Sequence, residues 1–172
     1  MLDAALTSVS LSGSLASLPP LALAASDKIT EVDLSGTAVD TIGDYALYNL
    51  SQVRQLTIPA TAEYIGTRAM VGMTGLEQIY ALATRVPELG DQVWLGVNQP
   101  SVVLKVPAGS RDYYLSADQW RYFSVQSSGV PGDANGDGDV SVTDVLITVD
   151  YVLGKNPAGF IFANANVNGD NE

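Results

Sequence analysis

The chain of 172 residues contains no histidine and no cysteine, and its 8 basic residues face 19 acidic ones. Without histidine the commonest general base is missing, and without cysteine so is the commonest thiol nucleophile. The absence of cysteine leaves the redox compartment open. A net charge of −11 argues against a nucleic-acid partner, whose phosphates are met by Lys and Arg. No long apolar run is present either. Leu2 to Ala25 is apolar in character, but Ser and Thr interrupt it, Pro19-Pro20 breaks it and no basic stretch precedes it. It therefore reads neither as a signal peptide nor as a membrane span, and no membrane insertion is expected. A carboxylate pair is the remaining route to hydrolysis. Asp40 and Asp44 fall in solvated turns, and the other clustered aspartates have a different use, so the chain reads as a non-enzyme.

What is present is repetition. Ile29-Thr-Glu-Val32-Asp-Leu34, Val53-Arg-Gln-Leu56-Thr-Ile58 and Leu76-Glu-Gln-Ile79-Tyr-Ala81 share one apolar-x-x-apolar-x-apolar pattern at spacings of 24 and 23 residues. Leu6-Thr-Ser-Val9-Ser-Leu11 is an earlier copy, and Leu104-Lys-Val106-Pro107 matches Leu56-Thr-Ile58-Pro59 as a later one. Between them a second motif recurs as Ile42-Gly-Asp-Tyr-Ala46, Ile65-Gly-Thr-Arg-Ala69 and Leu89-Gly-Asp-Gln-Val93, each expected to lead into a short helical turn. A period in the twenties with one strand per repeat reads as an α/β-repeat, right-handed leucine-rich-repeat solenoid, whose coils bury their faces only by stacking. Parallel strands are expected near 29–34, 53–58, 76–81 and 102–106, with Val32, Leu34, Ile42, Leu56, Ile58, Ile65, Ala69 and Ile79 in the core. Outward positions such as Glu31 and Asp33, Gln55 and Thr57, or Gln78 and Tyr80 share neither a charge sign nor an aromatic ladder. They name no ligand. Because Leu6 to Leu11 already belongs to a repeat, the chain is expected to begin inside a longer solenoid.

The Ile-Gly-x-x-Ala variety resembles the BspA-like leucine-rich repeats of bacterial surface proteins. Val106 to Phe123 resembles the closing segment of such arrays, in which Tyr113, Tyr114, Trp120 and Phe123 are expected to cover the apolar end of the solenoid. An alternative use for these aromatics is a carbohydrate-stacking platform. The resemblance implies repeats that bind or space something, with a host protein, a surface protein or a carbohydrate as ligand.

The C-terminal segment has a different chemistry. Seven of the acidic residues and a single lysine fall in the last 41 positions. In Asp133-Ala-Asn135-Gly-Asp137-Gly138-Asp139-Val140-Ser141-Val-Thr-Asp144, oxygen side chains occupy positions 1, 3, 5, 9 and 12, with glycine at position 6 for the sharp turn. That is the spacing of a calcium loop. Asp133, Asn135 and Asp137 would give side-chain oxygens, Asp139 its carbonyl, Ser141 an oxygen directly or through water, and Asp144 the closing carboxylate. Val140 is expected to point inward. Carboxylates held about 4–5 Å apart repel by about 1 kcal/mol even in water, so without a cation the loop is expected to open. Val145, Val149 and Val152 then mark one face of a helix ended by Gly154 and Pro157.

Gly132 to Leu153 resembles the first repeat of a dockerin, a module with no entering helix before its calcium loop. The resemblance implies two calcium loops and a helix pair that docks onto a cohesin module. The second loop departs from the pattern: Asn166-Val-Asn168-Gly-Asp170-Asn171-Glu172 has no twelfth ligand and no helix after it. The expected organisation is a solenoid over 1–125, a linker over 126–131 and an incomplete dockerin-like, EF-hand-like module over 132–172. The expected role is a non-catalytic, extracellular or cell-surface bacterial protein that docks, when complete, to a cohesin partner. Its cohesin class is unread, because the specificity positions hold Val142, Thr143, Val149 and Asp150. The alternatives are a surface adhesin whose calcium loop is purely structural, and a non-catalytic piece of a larger carbohydrate-active enzyme. Lacking a second helix, the Val145, Val149 and Val152 face is expected to pack on the solenoid cap or on a second copy, or to stay mobile with Phe160 and Phe162.

Overall fold

The computed structural model describes residues 7–127, 129, 132–136 and 140–165. In chain order the strands are β1 (Ser8–Gly13), β2 (Ser17–Leu18), β3 (Glu31–Thr37), β4 (Thr41–Ile42), β5 (Gln55–Ile58), β6 (Tyr64–Ile65), β7 (Gln78–Ala81), β8 (Glu88–Leu89), β9 (Val103–Val106) and β10 (Ser124–Ser127). The helices are α1 (Arg111–Ser116), α2 (Val142–Val152) and α3 (Phe162–Ala165). The strands form two parallel sheets, one in the order β1-β3-β5-β7-β9-β10 and one in the order β2-β4-β6-β8. Each of the first four coils therefore contributes one long strand and one short one, and β9 and β10 extend the long sheet alone.

The apolar pattern sets the register. Val9 pairs with Val32, Val32 with Leu56, Leu56 with Ile79, Ile79 with Leu104 and Leu104 with Val125, one buried column through the solenoid. In the second sheet Leu18, Ile42, Ile65 and Leu89 line up in the same way. Like side chains at one height fill the interior only against the coils above and below. All eight expected core residues are fully buried.

The Ile-Gly motif does not lead into a helix. It builds the short strands, and the turns that follow place Tyr45, Arg68 and Gln92 at φ of 55°, 55° and 52°. Left-handed residues end any helical run. Their backbone bonds run to the next coil instead: Leu47 N–H donates to Ala69 O and Met70 N–H to Val93 O. The coils of the solenoid are consequently strand and turn, and its one regular helix among the described residues, α1, sits in the closing segment. The motif glycines serve close approach. A Cβ on Gly66 would stand 2.6 Å from Asp44 N and one on Gly90 2.6 Å from Thr67 N, so any side chain there forces the coils apart.

The closing segment works as expected with one exception. Tyr114, Trp120 and Phe123 are buried, and Trp94 joins them with ring centroids 5.4 Å from Trp120 and 5.0 Å from Phe123. Tyr113, expected beside them, is 66% exposed because its position on α1 faces away from the coil. Burial pushes the Tyr114 hydroxyl well above the usual tyrosine range, and it donates to Ala83 O at 3.0 Å. Sequence reasoning overlooked Gln119. Its side chain accepts from Val93 N–H at 3.0 Å and donates to Gly90 O at 2.8 Å, bridging two groups whose counterparts in the earlier coils bond directly, Ala46 N–H to Gly43 O and Ala69 N–H to Gly66 O. β10 then adds a sixth strand to the long sheet and runs to Ser127, into the stretch expected as linker.

Candidate functional site

Two buried carboxylates mark the C-terminal segment. Asp133 is fully buried and Asp144 nearly so, a state carboxylates adopt only when hydrogen-bonded or charge-compensated. Asp133 Oδ1 accepts from Gly136 N–H at 2.7 Å, which curls the start of the loop onto itself. Asp144 closes it from the far end. Its Oδ1 accepts from Asn135 N–H at 3.1 Å, and its Oδ2 accepts from Ser141 N–H at 2.8 Å and the Ser141 hydroxyl at 3.2 Å.

Ser141 also accepts from Thr143 N–H at 3.2 Å, so Ser141 and Asp144 form a reciprocal capping box at the start of α2. Burial pushes the Asp144 carboxyl up. The N–H groups of Ser141 and Asn135, the Ser141 hydroxyl and the N–H of Ala134 outweigh that and hold it below the usual carboxylate range.

Asp133, Asn135, Ser141 and Asp144 are thus drawn into one loop. Asp137, Gly138, Asp139 and the second loop from Asn166 onward lie outside the described residues. Among the described residues no three carboxylates come together. The described donors are carboxylate, amide and hydroxyl oxygens, the chemistry a hard cation such as calcium selects, and two of them are buried anions. In that respect the residues present fit calcium.

Val140 is not the inward anchor expected from the loop pattern. It is 60% exposed and lies over Gly132. The chain returning from α2 closes the loop instead: Ile161 N–H donates to Ala134 O at 2.8 Å and Gly132 N–H to Asn164 O at 2.7 Å. Phe160 stacks on Tyr151 at 4.1 Å between centroids and Phe162 sits 6.2 Å from the same ring, so both aromatics pack against α2. The opposite face stays open, with Val145 61%, Val149 47% and Val152 76% exposed and Leu146 and Leu153 beside them. Burying one such side chain is worth about 1.5–3 kcal/mol.

Coils of similar length, parallel strands in matching register and an aromatic end cap define a leucine-rich-repeat solenoid. The model of the BspA type Leucine rich repeat region matches residues 3–96 in 6 copies, more than half of the chain, and the chain belongs to that family. No curated protein matches it. Solenoids of this kind are typically non-catalytic scaffolds for protein interaction, and members of this family are usually bacterial surface proteins. No helix among the described residues is long and apolar enough to cross a membrane.

Proposed function

We propose that the chain is a non-catalytic surface or secreted bacterial scaffold in two parts. The repeats over 1–125 present a rigid binding or spacing surface, and the module over 132–172 holds calcium and serves, when complete, as a dockerin-like attachment to a cohesin partner. Asp133, Asn135, Asp137, Asp139, Ser141 and Asp144 would hold the ion. A bound divalent cation supplies the charge that balances the loop's carboxylates and ties its two ends together. Asp144 orients both loop and helix, because one carboxylate receives the Asn135 and Ser141 amides at once.

The observation that carries this reading is the contrast within α2. Its first turn belongs to a loop with buried carboxylates, while its apolar side chains stay open to solvent. An apolar patch beside a buried polar anchor marks an interaction surface. Titration with calcium is expected to show one tight site per chain, with most of the affinity lost in Asp133→Ala and in Asp144→Ala. A panel of cohesins is then tested against the 172-residue chain and against a form extended by a second helix, with calcium and with chelator. Calcium-dependent binding, far tighter in the extended form, is expected. Absence of binding by both forms would favour the adhesin reading, in which the loop only stiffens the end of the chain.

A further inference from the structure

A cleft lies where the last full coil meets the closing segment. One part, about 300 Å³, is lined by Glu63, Tyr64, Arg85, Val86 and Glu88. The adjoining part, about 460 Å³, shares Arg85 and Val86 and is bounded by Tyr113, Ser116 and Ala117. Both volumes fall within the range of about 300–1,000 Å³ usual for ligand sites.

The backbone under the cleft is pinned. Tyr114 OH donates to Ala83 O at 3.0 Å, Ser110 Oγ to Thr84 O at 3.0 Å and Trp120 Nε1 to Pro87 O at 3.1 Å. The side chains above that floor are unengaged. Those of Glu63, Tyr64, Arg85, Glu88 and Tyr113 are exposed and have no hydrogen-bond or ion-pair partner among the described residues. The pinned backbone needs no further ordering when a ligand binds, so only the side chains are immobilised.

We propose that this cleft is a binding site for a neutral oligosaccharide. Tyr113 and Tyr64, 66% and 39% exposed, offer ring faces to the C–H faces of sugar rings and hydroxyls to their oxygens. Arg85 donates to hydroxyl and ring oxygens, and Glu63 and Glu88 accept from hydroxyls. Groups of both signs without partners suit an uncharged polyol, whereas the two carboxylates repel a phosphate or another anion.

A peptide added as a strand is disfavoured. β8 ends its sheet, but Trp120 occupies Pro87 O, and the Gln119 amide occupies Gly90 O and Val93 N–H. The carbonyls flanking β8 are thus already taken, which leaves little backbone for an added strand.

The inference rests on reading the solenoid as a binding scaffold and makes no use of the calcium module. The test is calorimetric titration of the full chain, with calcium and with chelator, using hexasaccharides of β-1,4-glucose, α-1,4-glucose and β-1,4-xylose and a set of random hexapeptides. Saturable binding of at least one saccharide is expected under both conditions. It is expected to weaken at least 10-fold in Tyr113→Ala and in Arg85→Ala but not in Tyr122→Ala, an exposed tyrosine outside the cleft. All three positions are on the surface, so unchanged melting temperatures are expected to show intact folding. No saccharide binding by the intact chain, binding that survives both cleft substitutions, or binding of the peptides alone would overturn the proposal. Saccharide binding that requires calcium would also overturn it, because the site would then depend on the module.

Discussion

Two valines show how differently the two ends of this chain use the same side chain. Val32 in β3 is fully buried between Val9 and Leu56 of the adjoining coils, whereas Val152 in α2 is 76% exposed. In the solenoid every apolar position has a counterpart one period away, so the repeat itself guarantees a partner. The helix is present once. Its apolar face has no copy of itself to pack against, and its stability rests on the Ser141 and Asp144 cap, the Tyr151 to Phe160 stack and whatever covers the face. Repetition makes the first region self-sufficient, and its lack leaves the apolar face of α2 open to solvent.

That comparison is sharpened by substitutions on each side. Leu56→Ala removes a fully buried side chain flanked by Val32 and Ile79 and is expected to cost about 2–5 kcal/mol, read from chemical denaturation. Val152→Ala, at the exposed end of the comparison, is expected to change stability by less than about 0.5 kcal/mol. Equal losses from the two would erase the distinction between the regions. Between these extremes, Gln119→Ala strands Val93 N–H and Gly90 O at the end of the solenoid and is expected to cost about 1–3 kcal/mol. A neutral result would mean that solvent, or the direct turn bond made in the earlier coils, replaces the amide and that the cap works through its aromatics alone.

A smaller effect depends on pH. Burial holds the Tyr114 hydroxyl protonated in the folded chain above the ordinary tyrosine pKa of about 10. Its contribution is complete below that value and is lost as pH rises above it, because the unfolded chain ionises first. Denaturation midpoints of the wild type are therefore expected to fall more steeply between pH 9 and 11 than those of Tyr114→Phe. Parallel curves would remove Tyr114 as the cause.

Much of the solenoid was legible because its signal is redundant. Leu56, Ile79 and Leu104 carry the same residue class at the same phase, and each confirms the others. The turns were not, since Tyr45, Arg68 and Gln92 hold left-handed backbone without being glycine. Tyr45 and Arg68 donate their N–H groups to the next coil, at Thr67 O and Asp91 O, bonds that no local pattern records. Tyr113 and Tyr114 are adjacent in sequence, and only the docking of a six-residue helix decides which is buried. Gln119 has no motif at all, and its role follows from the turn between Gly90 and Val93 in the coil beneath, whose backbone pair it bridges. In the C-terminal loop the alternate oxygens were plain from spacing, and Asp133 and Asp144 are buried. The exposure of Val140 was not, because the chain at Ile161 and Asn164 closes the loop from outside it.

The central claim, a self-sufficient solenoid carrying an ion-dependent module, is tested most directly by amide hydrogen exchange of the full chain with calcium and with chelator. Protection in β3, β5, β7 and β9 is expected to be the same in both conditions, while amides of the 133–153 segment, those of Asn135, Gly136 and Ser141 among them, gain protection only with calcium. Identical exchange throughout would contradict the account, and so would a calcium effect spread evenly over the solenoid.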